Sequence, residues 1–293
     1  MRAIHTESLD TRLKWAREQL DAVHIESGAL DARLLLKHVL KCGDEFVLAH
    51  PEYALSPEQK DNFAAVVDRR SQHEPVSKII GEREFWGLPF YVTQDTLDPR
   101  PDSETLVETV LSFVKDRAAP LQILDLGTGT GCLLLALLKE LKQAQGVGVD
   151  CCPRALKVAM SNAKRLQMDA RVQFVQGNWG QDLEGPFDVI VSNPPYIAAD
   201  EIGQLSKAVK DYDPLLALQG GRDGLACYRE IMSYVRALLA PEGLVAFEIG
   251  KGQKQEVENI MIQTGLTMIQ STTDLAGIPR CLLAKVNKNN QET

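Results

Sequence analysis

The chain has 293 residues, of which 44% are hydrophobic, so it can form one large domain with a substantial core and a second, smaller one. Its formal net charge of −8 argues against broad binding to a nucleic-acid backbone, which requires clustered lysine and arginine. Charged residues occur from Glu7 onward and no apolar run approaches the roughly 18 residues of a membrane span, which predicts a protein without a signal peptide or membrane anchor.

The first quarter of the chain predicts a small helical domain. Apolar residues recur at helical spacing from Leu9 to Val23 and from Leu30 to Leu40. Ser56 to Gln59 supply a capping serine, a first-turn proline and a glutamine at the capping-box position, so another helix begins there and ends near Glu74. We therefore predict a helical domain over residues 1–75. Its separate apolar pattern and balanced charge suggest that it recognises a substrate protein, with stabilisation of the fold alone as the alternative.

A β-hairpin is predicted to join this helical domain to the rest of the chain. Residues from Ile79 to Val92 alternate aromatic or apolar side chains with glycines, a pattern typical of a hairpin. We place this linker at residues 76–98. Beyond it, residues 99–287 alternate predicted strands and helices and form the second domain, and residues 288–293 are a polar tail.

A glycine-rich loop follows the first predicted strand of the second domain. Gln122 to Leu126 form that buried strand, and the loop runs into an apolar helix. Glycines let the backbone approach a ligand closely, and the start of a helix favours an anionic group. Cys132 stands where the dinucleotide fingerprint has its third glycine, so a nicotinamide cofactor is disfavoured. The loop residues expected to contact a cofactor are Gly127, Thr128, Gly129, Thr130 and Gly131.

Two residues at the ends of later strands are candidates for the same site, because open α/β sheets bind ligands at the carboxyl ends of their strands. Asp150 ends the strand that begins at Gly146, about 20 residues beyond the loop, as expected for a carboxylate that accepts from both ribose hydroxyls. The alternative is that Asp150 caps the helix that follows it. Trp179 comes after the strand Arg171 to Val175 and either lines the site or packs in the core.

The tetrapeptide Asn193-Pro194-Pro195-Tyr196 comes directly after the apolar strand Phe187 to Ser192. An amide or nucleobase NH2 is a poor nucleophile because its lone pair is delocalised, and a site can make it attack by accepting both of its hydrogens. The Asn193 side-chain oxygen and the Pro194 carbonyl can do this together, since the prolines fix the backbone and remove competing donors. Tyr196 offers a ring to lie against the flat substrate group. The motif predicts methyl transfer to a planar amino nitrogen, with an ordinary strand-ending turn as the alternative.

The placement of histidine and cysteine narrows the chemistry further. All five histidines lie between His5 and His73, so the second domain has no imidazole to act as a general base or zinc ligand. Methyl transfer from an activated cofactor needs neither, and we predict no metal. The six cysteines show no C-x-x-C spacing, which predicts reduced thiols and a cytoplasmic protein.

The late part of the chain completes the predicted sheet. Leu244 to Ile249, Leu266 to Ser271 and Cys281 to Val286 are three further apolar strands, and the last two are close enough in sequence to form a terminal hairpin. Together with the four strands above they make seven.

With these residues in view, the chain resembles the HemK/PrmC family of protein-(glutamine-N5) methyltransferases, which act on peptide chain release factors. The resemblance extends from about Leu13 to Val286. The tetrapeptide from Asn193 to Tyr196 (the clamp motif) also occurs in adenine and cytosine amino-methyltransferases. The segment from Glu84 to Phe90 is more specific to the family. The matching segments are Asp31 to Leu36, Pro75-Val76 with Ile79 to Gly81, Glu84 to Phe90, Pro99 to Glu104, the glycine loop, Asp150 and Asn193 to Tyr196.

The resemblance implies a fold and a set of site roles. The fold class would be α/β, with a seven-stranded Rossmann-like class I methyltransferase domain preceded by a small helical domain and a β-hairpin linker. The residues implied to bind S-adenosylmethionine, which leaves as S-adenosylhomocysteine, are Gly127, Thr128, Gly129, Thr130, Gly131, Asp150, Trp179 and Asn193. The glutamine of the Gly-Gly-Gln motif in class 1 release factors would be bound by Asn193, Pro194, Pro195 and Tyr196, with Asn193 and Pro194 as the catalytic residues.

The chain departs from the family's usual pattern at a few positions. Asp98 stands where an apolar residue is usual, Ser103 replaces threonine, and Cys151-Cys152 replaces an apolar residue followed by serine. Arg100 is not assigned to the site, since an exposed loop charge explains it as well as cofactor contact does.

Three hypotheses from different classes remain at this point. The leading one is methylation of the release-factor glutamine. The second is a sibling enzyme that methylates a glutamine of a ribosomal protein or the amino group of a nucleobase, and the acidic charge weighs against the nucleobase. The third is an idle binding protein that retains the methyltransferase fold, and the intact clamp motif weighs against it.

Overall fold

The computed structural model describes residues 8–286, whose contacts divide the chain into two compact units. The first unit contains the described residues up to Gly81 together with Ser206–Tyr212. The second contains Glu82–Leu205 and the described residues from Asp213 onward. The predicted polar tail at 288–293 lies outside the described residues.

Helices and strands are numbered along the chain. The helices are α1 (Leu9–Ala22), α2 (Gly28–Leu40), α3 (Asp44–Ala49), α4 (Pro57–Ser71), α5 (Val76–Ile80), α6 (Glu104–Phe113), α7 (Cys132–Glu140), α8 (Pro153–Arg165), α9 (Lys207–Lys210), α10 (Ala226–Leu238) and α11 (Lys254–Gln263). The strands are β1 (Glu82–Phe85), β2 (Leu88–Tyr91), β3 (Gln122–Leu126), β4 (Gln145–Asp150), β5 (Val172–Gln176), β6 (Phe187–Ser192), β7 (Leu239–Glu248), β8 (Leu266–Thr273) and β9 (Pro279–Val286). Short 3₁₀ helices cover Pro101–Ser103, Asp169–Arg171, Ile202–Gln204 and Leu215–Ala217.

The helical unit has its own apolar core, in which the side chains of Leu20, Leu35 and Phe63 from α1, α2 and α4 are fully buried. The capping box predicted at the start of α4 is present, because Ser56 Oγ accepts from the Gln59 N–H (3.2 Å) and Gln59 Oε1 accepts from the Ser56 N–H (2.9 Å). Helices α3 and α5 were not predicted. Both are short, and neither begins with a side-chain cap that sequence could reveal.

The second unit contains a sheet of seven strands in the order β5-β4-β3-β6-β7-β9-β8. The first five strands in this order are parallel, and β9 runs antiparallel to both of its neighbours. The late strands therefore do form the terminal hairpin that their spacing predicted. Because β3 lies between β4 and β6, the chain reverses its direction of travel across the sheet there, and the loops after these strands diverge to leave a crevice.

Helices cover both faces of the sheet. Apolar side chains of α6, α7 and α8 are buried against one face, and those of α10 and α11 against the other. The hairpin β1–β2 clusters with this unit, and Phe85 and Phe90 pack edge-to-face in its core with ring centroids 6.2 Å apart. The predicted linker at 76–98 thus contains α5, which belongs to the helical unit, and the hairpin, which belongs to the sheet unit. The predicted α/β fold with seven strands, an amino-terminal helical part and a β-hairpin is confirmed.

Within residues 8–286, the helices are all too short or too polar to cross a membrane.

Candidate active site

A cavity of about 400 Å³ lies in the second unit, at the carboxyl ends of β3, β4 and β6. It is lined mainly by apolar surface with polar groups at a few positions, as is typical of a small-molecule site. The sequence-predicted residues that line it are Gly127, Thr128, Gly129, Thr130, Asp150, Trp179, Asn193 and Pro195. Residues separated by more than sixty positions in the chain are thereby brought to one cavity.

The glycine loop after β3 is tied to the neighbouring strand β4. The N–H groups of Gly127 and Thr128 both donate to the Val149 carbonyl at 2.9 Å, and the Gly129 N–H donates to Asp150 Oδ2 at 2.9 Å. Gly127 and Gly129 have φ values of +76° and +54°, which side chains other than glycine rarely adopt. The loop's conformation therefore depends on glycine, and it exposes backbone to the cavity.

Gly131 does not line the cavity, unlike the other loop residues. It precedes α7 with a φ of +80°, and a Cβ there would lie 3.3 Å from Leu135 Cδ1 and 3.4 Å from the Ala159 Cβ. Its structural role is close packing of the loop against α7 and α8. The sequence pattern did not separate this role from ligand contact.

Asp150 contacts the start of α8 and also lines the cavity, so the structure leaves it free to serve either of the roles considered from the sequence. Its Oδ1 accepts from the N–H of Cys152, which is the N-cap residue of α8, at 2.9 Å, while its Oδ2 holds the glycine loop. The carboxylate also lines the cavity. Since each carboxylate oxygen has two lone pairs, Asp150 retains acceptor capacity toward a ligand.

A second carboxyl, Asp125, lies beneath the glycine loop and was not predicted as part of the site. It is 1% exposed, and its Oδ2 accepts from Thr128 Oγ1 at 2.6 Å. Burial raises the pKa of Asp125 to about 7; the Thr128 hydrogen bond opposes this rise and the charge of Asp150 adds to it. An acidic residue inside an otherwise apolar strand was the available sequence signal.

Trp179 packs on the glycine loop at Gly127. A Cβ at Gly127 would approach Trp179 Cζ3 to 3.2 Å, so the indole packs directly on the loop while lining the cavity. Its neighbour Asn178 donates from Nδ2 to Glu230 Oε1 at 2.6 Å, and both of these residues also line the cavity. This polar pair offers hydrogen-bonding groups beside an aromatic surface.

The clamp motif begins immediately after β6. Asn193 lines the cavity and donates from Nδ2 to Ser103 Oγ at 3.2 Å. Pro195 lines the cavity too, whereas Pro194 and Tyr196 do not. The Tyr196 carbonyl accepts from Gln253 Nε2 at 2.9 Å, which anchors the end of the motif to the loop before α11.

The Tyr196 hydroxyl stays protonated near neutral pH. Burial raises its pKa to about 12, and the nearby Glu248 carboxyl adds to the rise. The hydroxyl therefore carries no charge near neutral pH.

Several residues of the cavity wall were not predicted from the sequence. Arg100 lines the cavity and its Nη2 contacts Asp213 Oδ2 at 2.5 Å, so it is held in place rather than being a free loop charge. Further lining residues are Asp95, Thr96, Leu97, Ser103, Pro214, Leu216, Ala217, Gln219, Cys227 and Glu230. Except for Cys227 and Glu230, which lie on α10, these residues come from the segments that connect the α-helices and β-strands, where residue type carries little positional information. Among residues 8–286, no group of three or more His, Cys, Asp or Glu side chains is arranged to hold a metal ion.

Comparisons with known proteins agree with this geometry. The methyltransferase domain family matches residues 119–291, and the PrmC N-terminal domain family matches residues 12–81. A solved methyltransferase from Pyrococcus furiosus shares the fold, with a TM-score of 0.52 over 74% of this chain and 97% of that chain at 18% identity. The second unit is thus a methyltransferase domain.

Curated relatives define the family more narrowly. A protein of Rhodospirillum rubrum named release factor glutamine methyltransferase is 45% identical over 91% of this chain and 82% of its own length. One of the same name from Agrobacterium fabrum is 41% identical over 91% of this chain and 93% of its own length. The chain belongs to the release factor glutamine methyltransferase family.

Proposed function

We propose that this chain transfers a methyl group from S-adenosylmethionine to the side-chain amide nitrogen of the glutamine in the Gly-Gly-Gln motif of class 1 peptide chain release factors. The observation that carries the proposal is one cavity shared by the glycine loop, Asp150 and the clamp residue Asn193. The residues proposed for the cofactor (the cofactor side: the glycine loop, Asp150 and Trp179) and those proposed for the acceptor amide (the acceptor side: Asn193 to Tyr196) therefore meet at one cavity, with Asn193 and Pro195 in its lining. The names of the curated relatives supply the substrate class.

The cofactor side fits S-adenosylmethionine in its donor groups. Asp150 has lone pairs for the ribose hydroxyls, Trp179 offers an aromatic surface, and the backbone of Gly129 and Thr130 borders the cavity next to the start of α7. A helix start favours the carboxylate of an amino acid. When bound, this cofactor supplies an already activated methyl group.

The acceptor side prepares the substrate nitrogen. The Asn193 Oδ1 at the cavity accepts one N–H of the glutamine amide, and the carbonyl of the adjacent Pro194, which lies just outside the cavity lining, accepts the other when the substrate is bound. These two contacts hold the nitrogen in place and increase its electron density. Pro195 borders the cavity and, like Pro194, has no N–H that could compete for these acceptors. When bound, the cofactor would give its methyl group to this nitrogen and leave as S-adenosylhomocysteine, and the nitrogen would lose one proton to solvent.

The helical unit is proposed to recognise the release factor. It has its own core, matches the PrmC N-terminal domain family and exposes the apolar side chains of Leu30 and Leu48, which are 52% and 69% accessible. We also place the protein in the cytoplasm, where its substrate functions. All six of its cysteines are free thiols, which suits a reducing compartment.

Incubation with labelled S-adenosylmethionine and separate acceptors tests the proposal. We expect label on an intact class 1 release factor and none on the same factor with the Gly-Gly-Gln glutamine replaced by alanine. Ribosomal proteins and nucleic acids serve as competing acceptors. Label on one of these instead of the release factor would contradict the proposal, and cofactor binding without transfer to any acceptor would favour an idle binding protein.

A further inference from the structure

A buried carboxyl lies behind the clamp and is linked to it by hydrogen bonds. Glu248, the last residue of β7, is 2% exposed and accepts from Ser103 Oγ at 2.5 Å. Ser103, which is 3% exposed and ends the 3₁₀ helix before α6, accepts in turn from Asn193 Nδ2 at 3.2 Å. Two consecutive hydrogen bonds thus connect Glu248, Ser103 and Asn193, which come from separate parts of the chain, and Asn193 lines the cavity.

The number of available hydrogens decides which group donates and which accepts in these two hydrogen bonds. A serine hydroxyl has one hydrogen, and an ionised carboxylate can only accept. Once Ser103 donates its hydrogen to Glu248, its oxygen can act only as an acceptor toward Asn193. The NH2 group of Asn193 must therefore face Ser103, and its Oδ1 is left for another partner.

This orientation decides whether Asn193 can serve the substrate. With Oδ1 toward the acceptor site, the side chain accepts an N–H of the glutamine amide. If the Asn193 amide were turned over, its NH2 group would face the NH2 group of the glutamine and no hydrogen bond could form between them. The two orientations of an asparagine amide have nearly the same shape, so the hydrogen-bond partners of Asn193 decide which one it adopts.

We propose that Glu248 and Ser103 are positioning residues that fix the Asn193 amide with its oxygen toward the substrate nitrogen. The inference deepens the proposed function and rests on it, since it explains how Asn193 is held in the role given to it there. Glu248 acts through Ser103 and through its own interaction with the Asn193 side chain, and it is removed from the reacting atoms.

The buried surroundings of Glu248 destabilise its ionised form. Burial raises the pKa of Glu248 to about 7, while the hydrogen bond from Ser103 opposes the rise. The nearby Arg280 is shared with Asp274 and Asp102, at 2.9 and 3.3 Å. A buried acid with a shifted pKa next to a cavity is characteristic of a functional site. The charged and titratable groups that face Glu248 are Arg280 and Cys281 of β9, Asp102, Tyr196, Tyr228 of α10 and Cys132 of α7.

Four variants separate positioning from simple packing. Ser103→Ala removes the hydroxyl, Ser103→Thr keeps it, and Glu248→Gln keeps the shape but adds donor hydrogens. Thr109→Val is a matched control, because Thr109 is a buried hydroxyl of α6 that bonds Thr105 O and Thr272 Oγ1 away from the cavity. Each protein is assayed for kcat and KM with release factor and for its Kd with S-adenosylmethionine.

We expect Ser103→Ala and Glu248→Gln to lower kcat about 10- to 100-fold, as removal of an outer hydrogen-bond partner of a site typically does. The cofactor Kd should change less than about twofold, and Ser103→Thr should recover most of the lost kcat. Thr109→Val should lower thermal stability without this loss of kcat. A folded Ser103→Ala enzyme with the wild-type kcat, or a Ser103→Thr enzyme as slow as Ser103→Ala, would overturn the proposal. If Glu248→Gln does not fold, the comparison of Ser103→Ala with Ser103→Thr still tests the proposal.

The pH profile adds a signature that packing alone would not produce. The wild-type kcat should rise between about pH 6 and pH 8 as Glu248 ionises and becomes an acceptor only, and this rise should be smaller in Glu248→Gln. Asp125, whose pKa is also raised to about 7, titrates in both proteins and so does not affect the comparison. Identical profiles would overturn the role given to the carboxylate.

A readout without methyl transfer distinguishes failure of this inference from failure of the proposed function. The side-chain NH2 resonances of Asn193 in an NMR spectrum, assigned by their absence in Asn193→Ala, should shift as Glu248 titrates in the wild-type protein and lose this shift in Ser103→Ala. Retention of this response in a protein that does not methylate release factor would contradict the proposed function alone. An active enzyme in which the resonances do not respond to Ser103→Ala would contradict the inference alone.

Discussion

The two sides of the cavity are held in place by different kinds of contact. On the cofactor side, Thr128 bonds Asp125 three residues away and Gly129 bonds Asp150 twenty-one residues away, both within one strand–helix–strand segment. On the acceptor side, Asn193 bonds Ser103 ninety residues away, and Gln253 holds the Tyr196 carbonyl from fifty-seven residues away. The cofactor side is thus a local motif, whereas the acceptor side is assembled from distant parts of the sheet unit.

Cofactor binding and orientation of the acceptor amide should therefore respond to different substitutions. Substitutions on the cofactor side should chiefly alter affinity for S-adenosylmethionine. Substitutions on the acceptor side should chiefly alter turnover.

Asn193→Ala should reduce kcat by roughly 100-fold or more, because loss of a positioned polar group in a water-excluded site has effects of this size. Affinity for S-adenosylmethionine should fall much less. Steady-state kinetics together with calorimetry measure both quantities. Equal losses in kcat and affinity would show that Asn193 mainly holds the cofactor, and the division between the two sides would fail at this residue.

Asp150→Ala should weaken S-adenosylmethionine binding by about 2 kcal/mol, or about 30-fold, since it removes charge-assisted hydrogen bonds to the ribose. Turnover at saturating cofactor should be close to that of the wild type. Isothermal titration calorimetry measures the affinity, and circular dichroism checks that the variant is folded. Unchanged affinity in a folded variant would leave Asp150 as a cap of α8 and a support of the glycine loop.

Whole release factor should be methylated with a kcat/KM at least about tenfold higher than a short Gly-Gly-Gln peptide. A peptide offers the acceptor atom but little surface, whereas a protein partner can bury an interface of roughly 1,600 Å². The comparison uses the intact enzyme with both substrates at one salt concentration. Equal kcat/KM values would remove the need for a recognition surface on the helical unit.

The free energy of unfolding should decrease as the pH rises from about 4.5 to about 7. Burial raises the pKa of both Glu248 and Asp125 to about 7, so the folded chain retains protons in this range that the unfolded chain has released. The stabilising effect is complete below the ordinary carboxyl pKa values and is lost as the pH rises through the folded values. Replacing Glu248 with glutamine should reduce the loss by an amount on the order of 1 kcal/mol. Urea unfolding of the wild-type protein and of Glu248→Gln at pH 5 and pH 7.5 measures the free energy of unfolding. An equal loss of this free energy between the two pH values in both proteins would argue against the raised pKa of Glu248.

The same contrast explains how far the sequence alone could predict this molecule. Strands are found from apolar runs, and glycine spacing locates the part of the cavity that we propose for the cofactor, because the contacts there are close in sequence. The clamp motif also locates the acceptor side. Ser103 and Glu248 could not be connected with it, since only the strand order brings the end of β7 next to the end of β6. Likewise α3, preceded by Gly43 without a side-chain cap, shows no local signal for its start.

The most direct test of the account is to locate the transferred methyl group by tandem mass spectrometry. Release factor is incubated with S-adenosylmethionine and either the wild-type enzyme or Asn193→Ala, with calorimetry showing that both bind the cofactor. The account predicts one methyl group on the side-chain nitrogen of the Gly-Gly-Gln glutamine after incubation with the wild-type enzyme, and little or none with the variant. A methyl group on another residue, or equal methylation by both enzymes, would contradict it.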